Sequence, residues 1–497
     1  MTQKKQAYNP YLPIDTYIPD GEPHVFGDRV YIFGSHDKEG GETFCMLDYE
    51  VFSAPVEDLS DWRSEGIIYR ADQDPSHSDK YKYMYAPDVV RGNDGRYYLY
   101  YAMAGGCFTG PIHVAVCDTP AGKYEYYGEV RYEDGSTFDR GITFDPGVLN
   151  DDGNIYLYYG WALSVPQMRD QPKEALAGMK QQMHQVEIMM FEKTEEQLAR
   201  ETDGVQGANV VRLAEDMLTV VEGPKRIVPG MIDAAETSFE GHAFFEASSM
   251  RKIGDTYYYI YSSEVYHELC YATSKYPDRD FVYGGVIVSN GDIGYQGRKE
   301  EDRLALTGNN HGSIEQINGQ WYIFYHRHTN KTSYSRQGCA EKIQILPDGS
   351  IPQVEITSCG LNDGPLAAQG SYPAVIACNL TNGKLPHISQ DGVDDDIAYI
   401  TCADGERIIR DITEGTMIGY KYFSFAGETT FSLEVRGEGN GSVEIATEDG
   451  ILATAVLAPG ESWQKQTVSI SVEGTKGLYL TFHGEGRYEM KSISFGE

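Results

Sequence analysis

Five segments of the chain repeat one pattern, a two-residue turn containing glycine followed by a β-branched and aromatic run. They are FGDRVYIFGS from Phe26, GNDGRYYLYY from Gly92, NDDGNIYLYY from Asn150, KIGDTYYYIY from Lys252 and QINGQWYIFY from Gln316. Each reads as a β-hairpin. Anchored on Tyr31, Tyr98, Tyr156, Tyr258 and Tyr322, the repeats stand 67, 58, 102 and 64 residues apart. A four-stranded propeller blade needs roughly 40 to 50 residues before insertions, so these periods suit decorated blades. The expected fold is all-β: a five-bladed β-propeller over residues 1–355, followed by a β-sandwich over 356–497.

Composition agrees. The 38 tyrosines and 54 glycines among 497 residues favour short strands and tight turns. The one helix-prone stretch is an insertion at about 165–201 that lengthens the third interval. Its Met168, Met179, Met183, Met189 and Met190 suit packing on a blade or on a partner better than a ligand groove. Beyond residue 360 the segments IGYKYFSF, TTFSLEVRG, GSVEIATED, WQKQTVSI, GLYLTFHG and EMKSISF read as short alternating strands, the pattern of a sandwich. There, Tyr420, Tyr422 and Trp463 would stack on sugar rings or pack the core, and the run Asp394-Asp395-Asp396 would hold calcium or face solvent.

A formal charge of −34 repels phosphate backbones and anionic membranes, so a neutral substrate is expected rather than nucleic acid. No apolar run approaches a membrane span and no leader is recognisable, which points to the cytoplasm. The eight cysteines are scattered, with no metal-binding or redox spacing, and read as reduced thiols. A homo-oligomer is left open.

Ten to twelve residues before each anchor tyrosine stands an ionisable group: Asp20, Asp88, Asp145, Glu246 and His311. Equivalent positions of successive blades converge on the propeller axis, so these residues are expected to meet. Aspartate and proline also favour turns, which accounts for single sites better than for five in step. Several carboxylates in a polar funnel, with no activated Ser or Cys beside them, point to glycoside hydrolysis. One acid protonates the leaving oxygen, one carboxylate activates water or attacks, and a third keeps the proton on the acid by like-charge repulsion.

With these residues in view, IPDGEPHVFGDRVYIFGSHD, YAPDVVRGNDGRYYLYY, FDPGVLNDDGNIYLYYG, FFEASSMRKIGDTYYYIYSS and GNNHGSIEQINGQWYIFYHR together resemble glycoside hydrolase family 43. That resemblance covers roughly residues 9 to 350. It implies an inverting enzyme that releases arabinose or xylose from plant oligosaccharides, with Asp20 as general base, Asp145 as pKa modulator and Glu246 as general acid. Asp88 and Arg336 are implied near the sugar, Asp88 with a turn role as its alternative and Arg336 with a surface ion pair as its own. His311 matches the family histidine on the axis, which contacts substrate, water or calcium. No organic cofactor is implied. Two departures bear on subgroup and substrate: Glu246 is followed by Ala247-Ser248 where the family usually has Gly-Pro, and Asp20 by Gly21 where proline is common. Glu222-Gly223-Pro224 imitates the acid motif but lacks the hairpin at the right distance, and is read as a loop. The C-terminal part resembles carbohydrate-binding module family 6. Alternatives are an exo-galactosidase or endo-arabinanase on the same fold, or a sugar-binding propeller without turnover.

Overall fold

The computed structural model describes residues 5–105, 108–164, 185–189, 192–201, 206–384, 386–388, 392–393 and 396–496. Among these residues each of the five hairpins becomes the innermost pair of one blade. Blade 1 comprises β1 (Glu22–Phe26), β2 (Arg29–Phe33), β3 (Tyr49–Pro55) and β4 (Arg63–Tyr69); blade 2 comprises β5 (Tyr83–Arg91), β6 (Tyr97–Gly105), β7 (Phe108–Cys117) and β8 (Glu125–Glu129). Blade 3 is β9 (Gly147–Asp151), β10 (Asn154–Tyr159), β11 (Gly207–Leu213) and β12 (Val220–Pro229); blade 4 is β13 (Phe244–Ile253), β14 (Thr256–Ser263), β15 (Leu269–Ser274) and β16 (Val282–Val288). Blade 5 has three strands, β17 (Ile314–Ile317), β18 (Gln320–His328) and β19 (Arg336–Ile343).

Four of the five innermost turns have two residues, as expected. Asp152-Gly153 and Asn318-Gly319 take positive φ at both positions, the geometry that matches strand twist. The turn of blade 2 is longer and runs from Gly92 to Arg96. The Asp94 carboxylate accepts from the Arg96 backbone at 3.0 Å, and this local bond replaces the tight turn.

The ring closes at blade 5. Along the free edge of β19 lies the N-terminal segment, where Tyr11 N–H donates to the Gly338 carbonyl and Ala340 N–H donates to the Asn9 side chain at 3.0 Å. Around the axis, β9 touches β5 and β13, while β1 touches β5 and β17. The approach is close: a Cβ on Gly147 would stand 2.4 Å from the Ser248 carbonyl, so glycine in Asp145-Pro146-Gly147 is a packing requirement. Apolar and tyrosine side chains fill the spaces between blades, as with Tyr100, Leu157 and Tyr159 between blades 2 and 3.

In the 165–201 stretch, residues 185–189 and α1 (Glu195–Arg200) are helical, and Met189 is exposed. Met168, Met179, Met183 and Met190 lie outside the described residues. Glu222 is in strand β12 and not in the expected loop; it is exposed and pairs with Arg212 and Lys225, far from the axial strands.

The C-terminal unit comprises β20 (Leu366–Ala367), β21 (Gly370–Pro373), β22 (Asn379–Thr381), β23 (Tyr399–Ala403), β24 (Glu406–Ile412), β25 (Met417–Thr447), β26 (Gly450–Leu457) and β27 (Gly460–Phe495). These form one curled eight-stranded sheet. The short strands expected beyond residue 417 are here merged into β25 and β27, of 31 and 36 residues. Strand β27 flanks β25 on both sides, so Leu433 faces Gln466 on one and Ile493 on the other. Gly427, Gly439, Gly474 and Gly484 at positive φ let both strands bend without losing their partners. Tyr420 is buried in this core and donates to the Ala374 carbonyl, Tyr422 donates to Glu355, and Trp463 lies between Arg436 and Lys491. Asp396 pairs with Arg487. Asp394 and Asp395 are outside the described residues.

This sheet is docked on blade 5. Lys421 reaches Asp292 and Glu355 at 2.9 and 2.8 Å, Arg327 donates to the Val375 carbonyl at 2.7 Å, and Ile400 N–H donates to the Thr329 carbonyl at 2.7 Å.

Candidate active site

Asp20 and Asp145 each stand two residues ahead of an innermost strand, and both adopt left-handed backbone, with φ of 57° and 44°. Aspartate tolerates this region better than most side chains. At the start of β13 the register with β14 is irregular between Phe244 and Ser249, and Ala247 has φ 70°. That bulge aims Glu246 toward the axis. Ala247 N–H donates to Asp145 Oδ2 at 3.1 Å, so the backbone beside one acid holds the next.

Asp20 is gripped from blade 5. Arg336 Nη1 donates to Asp20 Oδ1 at 2.9 Å, while its Nε and Nη2 grip Asp37 at 2.8 and 3.0 Å. Both carboxylates and the guanidinium are buried, and the Phe44 ring lies 4.8 Å from the guanidinium carbon. Asp20 N–H donates to His326 Nδ1 at 3.2 Å, and His326 Nε2 faces the Asn309 carbonyl at 2.8 Å, so the proton of this ring sits on Nε2. Burial, then Arg336, push His326 well below the ordinary imidazole range and keep it neutral.

His311 stands between acids, with Nδ1 3.7 Å from Asp145 and Nε2 3.8 Å from Glu22. Burial opposes its charge, but Glu22, Asp145 and Asp20 outweigh that and lift it to about 9. Burial raises Asp145 to about 7, with His311 opposing and Asp20 reinforcing. Glu246 is raised well above the usual carboxyl range by burial and by the charge of Asp145. Its side chain retains some exposure, whereas Asp20 and Asp145 are 5% and 4% exposed. The arrangement therefore puts a proton-holding carboxyl, Glu246, above the more deeply buried Asp20 and Asp145.

Five of the six residues singled out from sequence meet here: Asp20, Asp145, Glu246, His311 and Arg336. The burial of Arg336 excludes a surface ion pair. Asp88 is set apart, 0% exposed, with Oδ1 at 2.6 Å from His24 Nε2 and 2.7 Å from Val89 N, and Oδ2 accepting from Val148 N at 2.7 Å. Below the trio a polar lattice crosses the axis: Ser249 Oγ is 2.6 Å from Ser313 Oγ and 3.0 Å from Glu22, and Arg251 bridges Glu22 and Glu315. Glu22, Asp37, His326 and Arg251 were not singled out from sequence. For Glu22 and Arg251 period-two alternation was the available signal, since Glu22 and His24, and Ser249 and Arg251, each share one strand face.

The family model for glycosyl hydrolases family 43 matches residues 9–197. A xylosidase/arabinosidase of Thermoclostridium stercorarium is 46% identical over 514 residues, covering 99% of each chain. The chain belongs to glycosyl hydrolases family 43. A xylosidase/arabinosidase of Bacteroides ovatus is 29% identical over 64% of this family 43 chain and 87% of its own. Among solved structures, the GH43_1 enzyme from Xanthomonas citri complexed with xylotriose superposes with a TM-score of 0.51 at 25% identity, covering 70% of this chain and 94% of that one. As a family 43 member the protein is a glycoside hydrolase.

Proposed function

We propose that the protein releases terminal xylosyl and arabinofuranosyl units from plant-derived oligosaccharides with inversion at the anomeric carbon. The observation that carries the reading is the separation of two carboxyls by their surroundings. Asp20, paired with the buried Arg336 guanidinium, is placed to take a proton from water, while Glu246, kept protonated by burial and by Asp145, is suited to give one to the leaving oxygen. Asp145 acts through Glu246, by its charge and by the backbone bond that holds Ala247. Asp88, with both oxygens engaged, is assigned to joining blades 1, 2 and 3 rather than to sugar contact. The xylose and arabinose specificity is supported by the relative that aligns along the whole chain, which is named for both activities.

Calcium would meet a mixed donor set at the axis, Glu22 Oε1 and His311 Nε2, both buried and without a hydrogen-bond partner. The set fits an ion that draws its remaining oxygens from water. His311 ligates only when neutral, so ion and proton compete for the same ring. Held by Glu22 and His311, the ion would supply positive charge to the acidic axis.

Proton NMR during hydrolysis of xylobiose and an arabino-oligosaccharide tests the reading. The first-formed sugar should carry the anomeric configuration opposite to that of the substrate. Retained configuration would overturn the assignment of Asp20 as base, and sugar binding without release from any substrate would favour a lectin.

A further inference from the structure

The acid Glu246 must sit at the oxygen that leaves, so the groups beside it face the leaving part of the substrate. Its neighbour Phe245 begins a run of rings that leads away from the axis. The Phe245 ring lies 4.4 Å from that of His267, on the turn joining β14 to β15, and Trp161 lies 5.9 Å on its other side. His267 is stacked on His387, centroids 5.3 Å apart and planes 26° from parallel. His387 belongs to the C-terminal unit.

His387 is held in place. Its Nδ1 is 3.1 Å from Thr307 Oγ1, its backbone bridges Thr307, and Ile388 N–H donates to the Thr307 carbonyl at 2.7 Å. Beneath it Leu306, Ile388 and Ile397 form a small apolar cluster. Thr307 stands four residues before axial His311, so the C-terminal sheet is tied to the segment that builds the site. His387 nevertheless keeps part of its surface open while its ring is largely covered, and His267 beneath it is half-buried. Burial lowers both imidazoles, so the stack is uncharged at neutral pH. A fixed, neutral ring pair that reaches the proton donor's neighbour Phe245 through His267 suits the C–H face of a pyranose.

Resting on the glycosidase reading above, we propose that His267 and His387 form the platform that receives the sugar ring on the leaving-group side of the scissile bond, so that the C-terminal sheet completes the specificity pocket of the propeller. The ligand is the next xylose unit of a xylo-oligosaccharide.

The test compares xylotriose with β-xylosyl fluoride, whose leaving group has no ring to stack. For His387→Ala the ratio of kcat/KM on xylotriose to kcat/KM on the fluoride should fall about tenfold, mainly through KM on xylotriose. His387→Phe, which keeps a ring, should restore most of that ratio. A fall of both activities together, or of neither, leaves the ratio unmoved and overturns the platform. If the unmodified protein cleaves neither substrate, the glycosidase reading itself fails, an outcome distinct from an unmoved ratio.

Discussion

The axis of the propeller and the core of the C-terminal sheet are both buried, yet they are built from opposite chemistry. In the sheet, Phe431, Leu433, Ile445, Leu480 and Ile493 are no more than 1% exposed and carry no titratable group. Around the axis, Glu22, Asp88, Asp145, His311 and Arg336 are almost as deeply buried, and the groups near them hold or lose protons because of one another. Apolar burial stabilises wherever it occurs, whereas buried charge does so only when its geometry is satisfied. The axis therefore reads as a region kept for chemistry, and the sheet as one kept for support.

Four substitutions sharpen or break this contrast. Glu246→Gln should lower kcat on xylo-oligosaccharides by about 10²- to 10⁴-fold, the scale of a lost general acid. Steady-state kinetics should show a much smaller loss on an activated aryl glycoside, which needs little protonation, and a wild-type rate on xylobiose would remove Glu246 from the mechanism. In the sheet, Leu433→Ala should cost about 2 to 5 kcal/mol in a denaturant titration while leaving the pH–rate profile in place. A shifted profile would mean that the two regions are not separable. The smallest effect is expected from Asp145→Asn. Removing a negative charge beside Glu246 makes its ionisation easier, so its raised pKa falls and the alkaline limb of kcat/KM moves to lower pH, by about one unit. His311→Asn removes an opposing positive charge and should move that limb the other way; two limbs moving together would refute the electrostatic coupling.

The propeller was legible because its signal is local and repeated. A glycine turn followed by an aromatic run specifies a hairpin, and five such runs cannot bury their faces singly. The catalytic candidates were legible for a related reason, since equal phase in each repeat becomes equal position around an axis. Asp88 shows the limit of that inference: it keeps the phase of the others, but three donors converge on it from blades 1, 2 and 3, and phase says nothing about donors. Glu222 shows a second limit, since a motif outside the innermost hairpin lands on an outer strand. Asp37 and His326 were not visible because they act on Asp20 across 17 and 306 residues of chain respectively, and only closure of the ring brings them near.

By itself the sequence determined the kind of element, the number of blades and the phase at which ionisable groups approach the axis, because these follow from turn chemistry and strand period. Tertiary structure alone decided which of those groups carry protons, which are locked by neighbours, and that His387 of the C-terminal unit stacks on His267 of the propeller. Protonation and pocket shape depend on burial and on charges brought together from distant positions, and distance in space is not written in spacing along the chain.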